Sequence, residues 1–172
     1  LEVDQREVNS KIYYIQYPVL GSSDFITIAT TRPETMLGDT AIAVNPKDSR
    51  FKKLVGKFVT VPVIGRKIEI IEDDYADPEQ GTGALKITPA HDFNDYEVGQ
   101  RNNLKIINIF TEGGKINENA PEDYIGLDRS EARKKILKEL KEKNFFVKEE
   151  NIKNKVPYGD RSNSIIEPFL TE

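Results

Sequence analysis

The sequence predicts a mainly β domain with peripheral helices, an α+β fold built on a β-barrel or folded-sheet core. Three observations point there. Short apolar segments with period-two alternation recur through the first two thirds of the 172 residues. Turn chemistry separates them, as in Gly21-Ser22-Ser23-Asp24, Asn45-Pro46, Ile64-Gly65-Arg66 and Asp77-Pro78. No long helical pattern falls between consecutive strands, which disfavours a parallel doubly wound sheet.

In chain order, residues 11–19 alternate around aromatic side chains, and 25–30 form a short β-branched run. Segments 40–44, 58–63, 67–71, 84–88 and 106–110 continue the series. Helices are expected at the periphery. Residues 46–55 read as a short one closed by Gly56, and residues 92–103 as a second, with Asp92 as cap and Asp95 in the capping-box position. The third is the best marked: Asp128 caps it, Glu131 follows three positions later, and Ala132, Ile136, Leu137 and Leu140 form its apolar stripe. Gly113-Gly114 reads as a tight turn and residues 151–155 as an exposed polar connector. With no internal repeat, residues 1–172 are expected to form one domain.

Composition narrows the chemistry. Apolar content of 37% and charged content of 31% fit a folded globular protein. A chain of this length buries roughly 70% of its unfolded surface. Its apolar runs are too short to span a membrane. The absence of cysteine excludes disulfides, thiolate metal sites and a cysteine nucleophile, and a single histidine excludes a multi-histidine zinc site. Carboxylates, hydroxyls, lysine, arginine and backbone dipoles must therefore do the work. The sole methionine is Met36, so the ends are expected to be cuts within a larger protein. The net charge of −4 is unevenly spread. Residues 129–155 hold ten basic and five acidic groups, whereas 72–97 hold one lysine and eight acids. The basic flank either meets phosphates or solvates a helix face.

Two polar clusters stand out. The first is Thr30-Thr31-Arg32-Pro33-Glu34-Thr35, following an apolar run. The second runs from Gly81-Thr82-Gly83 through Lys86, Thr88, His91 and Asp92 to Asp95. Together they read as two walls of one pocket. Gly81 and Gly83 either make a turn or bring backbone N–H groups close to a ligand. Without a following Lys-Ser/Thr pair or a third glycine, they form neither a phosphate loop nor a dinucleotide site. Lys86 and Thr88 share one strand face, as a solvated surface or as a pocket floor. Asp92 and Asp95 share one helix face, where capping accounts for either one but does not require both with a lysine opposite. His91 reads as a hydrogen-bonded structural residue or as a catalytic one. Arg32, restricted by Pro33, either pairs with Glu34 or reaches a phosphate or carboxylate.

In this order and separation, the two motifs resemble the editing insertion, or connective-peptide domain, of class I aminoacyl-tRNA synthetases of the valyl, isoleucyl and leucyl group. Residues 29–46 resemble the family's threonine-rich region, and 81–99 its second signature. The likeness extends over essentially the whole chain, and its valyl branch fits best through Lys86-Ile87-Thr88-Pro89-Ala90-His91-Asp92. Gln80 departs from that branch, which often has an aromatic residue there.

The resemblance implies post-transfer hydrolysis of threonine esterified to the 3′ end of the valine tRNA. A valine pocket rejects the near-isosteric threonine only about 10²-fold, a case that is itself a standard example, so a second site must read the hydroxyl. Asp95 is expected to hold the amino group, and Lys86, Thr88 and Asp92 to read the hydroxyl. Arg32, Thr30 and Thr31 are expected to line the terminal adenosine and the ester. Backbone around Gly81, Thr82 and Gly83 is expected to help Thr30 or Thr31 stabilise the oxyanion, with His91 or Asp92 as secondary candidates for general base. The nucleotide-binding signatures of the parent synthetases are absent, so ATP and magnesium belong to the parent and this domain is expected to need no cofactor or metal. Expected partners are the tRNA 3′ end and the rest of the synthetase, with no membrane, the isolated domain being a cytoplasmic monomer. Alternatives are a tRNA-end binding module inactive without its parent, or an isoleucyl-type editor removing valine.

Overall fold

The computed structural model describes residues 3–159, with side chains at residues 10–152. Two sheets carry the fold. In the first, β1 (Val3–Pro18) lies between β2 (Phe25–Thr30) and β7 (Phe146–Gly159), antiparallel to both. Alternation decides which face turns inward. Tyr13, Ile15 and Tyr17 of β1 and Ile26 and Ile28 of β2 are buried, while Tyr14 and Gln16 between them are only partly covered.

The second sheet is ordered β4 (Phe58–Thr60), β5 (Lys67–Glu72), β3 (Ala41–Val44), β6 (Leu85–Ile87). The β3–β5 pair is parallel and the others are antiparallel. A bridge between Val19 and Val59 links the two sheets, and both feed one core through Tyr17, Ile28, Ile42 and Ile70. Among the described residues the ladders do not close into a barrel, so the mainly β core takes the folded-sheet form of the expectation.

Strand β3 is buried along its whole length. Ile42 and Val44 join the main core, whereas Ala41 and Ala43 join a smaller cluster with Ile71, Ile87 and Val98 of α1 (Phe93–Arg101). Alanine at those two positions leaves room for α1 against the sheet. The helix starts where expected, with the Asp92 carboxylate accepting the Asp95 N–H at 2.9 Å. Helix α2 (Arg129–Glu142) carries the full reciprocal box: Asp128 accepts from Glu131 N at 2.8 Å, and Glu131 accepts from Asp128 N at 3.1 Å. Ala132, Ile136 and Leu140 are its fully buried stripe, with Leu137 half-buried at the edge. Ile136 and Leu140 each contribute about 2 kcal/mol by that burial. The helix sits against a 3₁₀ turn, Pro33–Gly38, whose residues are all buried.

Four expectations need correction. Residues 46–55 form only a 3₁₀ turn, Ser49–Phe51, because Asp48 captures the Arg50 N–H and guanidinium locally; Gly56 then closes the segment at φ +84°. Strand β4 stops at Thr60 because Gly65 N–H turns back to the Val61 carbonyl. Residues 106–110 do not form a strand: the Ile109 N–H donates to His91 Nε2, and Phe110 makes an isolated bridge to Ile116. Residues 151–155 are not a connector but part of β7, with Lys11 opposite Asn151 and Glu7 opposite Lys155. Polar composition suits β7 because it is an edge strand among the described residues.

Candidate active site

Strands β2 and β6 deliver the two motifs to one cavity of about 240 Å³. Thr30, Thr31 and Arg32 come from the end of β2. Lys86 and Thr88 come from β6 and its extension, and His91, Asp92 and Asp95 from the turn into α1. Two walls of one pocket is therefore the arrangement found.

Lys86 and Thr88 are a pocket floor, at 6% and 2% exposure. The Lys86 ammonium sits 2.7 Å from Asp39 Oδ1 and donates to Thr35 Oγ1 at 2.9 Å and Thr88 Oγ1 at 2.5 Å. Asp39 is fully buried and also accepts from the Thr88 hydroxyl at 2.8 Å and the Tyr17 hydroxyl at 2.6 Å. Burial pushes the Asp39 carboxyl up, opposed by Lys86, Tyr17 and Thr88. One cation and two hydroxyl donors converging on it hold it as the carboxylate.

Asp95 is 8% exposed. Its Oδ2 accepts the Thr88 N–H at 2.9 Å, and its other oxygen has no partner among the described residues. Burial, then the neighbouring Asp92 carboxylate, raises its pKa to about 6. Asp92 uses one oxygen as the α1 cap and likewise keeps the other.

The lone histidine has a structural task. His91 Nε2 accepts the Ile109 N–H at 3.0 Å, and the ring packs edge-on to Phe110 at 5.1 Å. Burial, aided by Arg32, Arg129 and Lys86, lowers its pKa to about 3. The neutral ring therefore carries its proton on Nδ1 and has no free basic nitrogen.

Arg32 does not pair with Glu34. The buried Glu34 instead accepts two bonds from Arg133, at 2.9 and 3.1 Å, with Arg129 at 3.6 Å. Arg129 also lies over the Phe110 ring at 4.7 Å, and burial lowers its pKa to about 10. Arg32 Nε and Nη2 are buried and have no partner among the described residues. Thr30 Oγ1 is engaged, accepting the Arg32 backbone N–H at 3.0 Å.

The glycine motif sits elsewhere than expected. Gly81 and Gly83 line an adjoining lobe of about 230 Å³, which shares Ile12, Ala29, Tyr75 and Leu85 with the first. Thr82 lines neither lobe, because its hydroxyl donates to the Thr27 carbonyl at 2.5 Å and ties the loop to β2. Gly83 has φ +86°, and a Cβ there would clash with Arg50 Nη2 and meet Asp48 Oδ2 at 3.0 Å. Its close approach within the protein is to the Asp48–Arg50 pair. Sequence reasoning missed Tyr75, which lines the main lobe, and Asp39 behind Lys86 and Thr88; Thr35 was named in the first cluster without a role of its own. Asp39 lies in the Gly38-Asp39-Thr40 step, where only a buried polar residue ahead of an apolar strand hints at its role.

Among the described residues no cluster of His, Cys, Asp or Glu offers a metal site. No helix among them is long and apolar enough to cross a membrane. The model of the leucyl-tRNA synthetase editing domain matches residues 53–141, more than half of the chain. The chain belongs to this editing-domain family. It is 89% identical over 172 residues to the valine--tRNA ligase of Pelagibacter ubique (strain HTCC1062), covering all of this chain and 20% of that protein. The valine--tRNA ligase of Thermotoga maritima is 52% identical over 171 residues, 99% of this chain and 20% of that one. The editing-domain chain thus spans about a fifth of the curated relatives it matches. Its fold is shared with the LeuRS–tRNA–LeuAMS ternary complex of Agrobacterium radiobacter K84, at TM-score 0.64 and 19% identity, over 87% of this chain and 20% of that one.

Proposed function

We propose that this editing domain hydrolyses the ester of threonine mischarged onto the 3′ end of valine tRNA, as part of a valine--tRNA ligase. The supporting observation is the polarity of the pocket. Asp95 and Asp92 each keep one carboxylate oxygen without a partner among the described residues, and Arg32, whose buried Nε and Nη2 are also unpartnered, lines the same pocket. A threonyl ester has the matching layout, with an ammonium and a hydroxyl as donors, and a carbonyl and terminal nucleotide as acceptors. The volume of about 240 Å³ suits an aminoacyl group better than a whole nucleotide.

In this reading Asp95 holds the ammonium through a charge-assisted contact. The positive charge also draws down its raised pKa. The remaining lone pair of Thr88 receives the proton of the substrate hydroxyl, with Asp92 lining the same pocket. Lys86, whose three donors are already engaged, orients Thr88 and Thr35. Arg32, with the Thr30 and Thr31 hydroxyls, takes the oxyanion role first expected of the 81–83 backbone. Water attacks the carbonyl carbon, the ester C–O bond breaks, and the ribose oxygen leaves with a proton. His91 is not the base, since Nε2 is occupied. The neighbouring ribose hydroxyl positions the attacking water and relays its proton to the leaving ribose oxygen, and the step calls for no cofactor.

Deacylation of threonyl- and valyl-tRNA, both on the valine tRNA, tests the reading. Selective threonine release is expected. Release of both alike, or of valine only, sinks it.

A further inference from the structure

The protons at the Lys86 end of the pocket can be placed from donor and acceptor chemistry alone. An ammonium only donates, so Thr88 Oγ1 and Thr35 Oγ1 both accept from Lys86. Each hydroxyl must then send its own proton elsewhere. Thr35 donates to the Arg32 carbonyl at 2.8 Å. Thr88 donates to Asp39 Oδ1 at 2.8 Å, its other acceptor, the Thr35 carbonyl, lying at 3.4 Å. Lys86 is itself saturated by Asp39, Thr35 and Thr88. What remains of the Lys86, Thr35, Thr88 and Asp95 side chains is one lone pair on each threonine and the Asp95 carboxylate. These are all acceptors.

Asp39 is the group that makes it so. It is 0% exposed, has no path to substrate, and is fixed from behind by the Tyr17 hydroxyl at 2.6 Å. Its backbone is held as well, its carbonyl accepting Arg66 Nη1 at 2.9 Å and its N–H donating to the Met36 carbonyl at 3.1 Å. Gly38 beside it packs so closely that a Cβ would lie 3.2 Å from Thr88 Cγ2. The carboxylate therefore cannot move away from the hydroxyl it orients.

We propose that Asp39 is a positioning residue for specificity: by taking the Thr88 proton it leaves an acceptor-only pocket end that selects acyl groups whose side chain donates a hydrogen bond. This rests on the editing reading above and deepens it. A threonine hydroxyl can donate there. Valine would leave the desolvated lone pairs unpaired, and a side-chain ether would set oxygen against oxygen.

The test uses the full-length protein carrying this domain, with threonyl, valyl and O-methylthreonyl esters on the valine tRNA. The wild type is expected to release threonine and to leave the methyl ether uncleaved. O-Methylthreonine released as fast as threonine overturns the proposal without any variant being made. Asp39→Leu, which removes both acceptor oxygens at similar size, is expected to lower the threonine-to-valine ratio of kcat/KM by roughly tenfold or more, the size of one net hydrogen bond to a charged group. Tyr17→Phe removes the support behind Asp39 but leaves Thr88 pinned, so it is expected to lower stability and keep the ratio. A ratio within twofold of wild type in folded Asp39→Leu makes Asp39 merely structural and overturns the proposal, while leaving the editing reading standing. A wild type with no threonine preference overturns both.

Discussion

Asp95 should cost the domain stability while serving its chemistry, and the two effects can be separated by the substitution Asp95→Asn. The amide keeps the size of the side chain and an oxygen acceptor for the Thr88 N–H, which Oδ2 now receives at 2.9 Å. It removes a charge buried beside Asp92. The rise in pKa from 3.8 to about 6 corresponds to a penalty of about 3 kcal/mol on the folded state above pH 6. Against this, a carboxylate in the first turn of α1 gains up to about 1 kcal/mol from the helix N-terminus. The expected net gain for Asp95→Asn at pH 7.5 is therefore about 2 kcal/mol, or roughly 4–8 °C in melting temperature for a domain of this size. As pH falls through 6 the folded wild type takes up the proton and its penalty fades, so the two proteins converge towards pH 4. Urea unfolding of both at pH 7.5, 6 and 4.5 measures the difference directly, since pH effects on other groups cancel. Threonyl-tRNA deacylation by the more stable variant is expected to be lost. A variant no more stable than wild type at pH 7.5, or an advantage that does not shrink on acidification, refutes the reasoning.

Two other substitutions probe the arginine side. Arg32→Met removes a guanidinium whose Nε and Nη2 have no partner among the described residues, so thermal unfolding should be unchanged or slightly raised. The KM for threonyl-tRNA should rise roughly ten- to a hundredfold, as expected for lost charged hydrogen bonds, and an unaltered KM counts against ligand contact. Glu34→Gln leaves Arg133 and Arg129 crowded around a neutral group, and should cost about 3 kcal/mol in denaturant unfolding. A loss below about 1 kcal/mol would mean that the docking of α2 rests on its apolar stripe alone.

Local rules were legible wherever one neighbourhood decided the outcome. β2 follows from the alternation of Ile26 and Ile28, and α2 from Asp128 and Glu131 three positions apart. The two walls of the pocket were readable because each is a contiguous motif. What escaped was decided by partners far along the chain. Residues 106–110 have strand composition, yet the Ile109 N–H is claimed by His91, and side-chain amides of Asn117 and Asn119 reach the Asn108 carbonyl. Nothing in Lys148-Glu149-Glu150-Asn151 announces a strand, because its place is conferred by β1. Asp39 escaped for the same reason, since its meaning comes from Lys86, Thr88 and Tyr17, none of them near it in sequence. The partners of Glu34 were not readable either, since they lie on a helix that no local pattern connects to it.

The position of β1 between β2 and β7 also sets an order of assembly. β2 follows β1 after a short turn, so that hairpin can close early, but Tyr13 finds Glu149 only once almost the whole described chain has been made. Pairing across so long a loop is entropically slow, and sheets built this way fold late. Until then the outer edge of β1, with Tyr13 and Ile15 on it, is an open template for another chain. During synthesis this domain is at its most aggregation-prone with its pocket residues already translated and its last strand still missing.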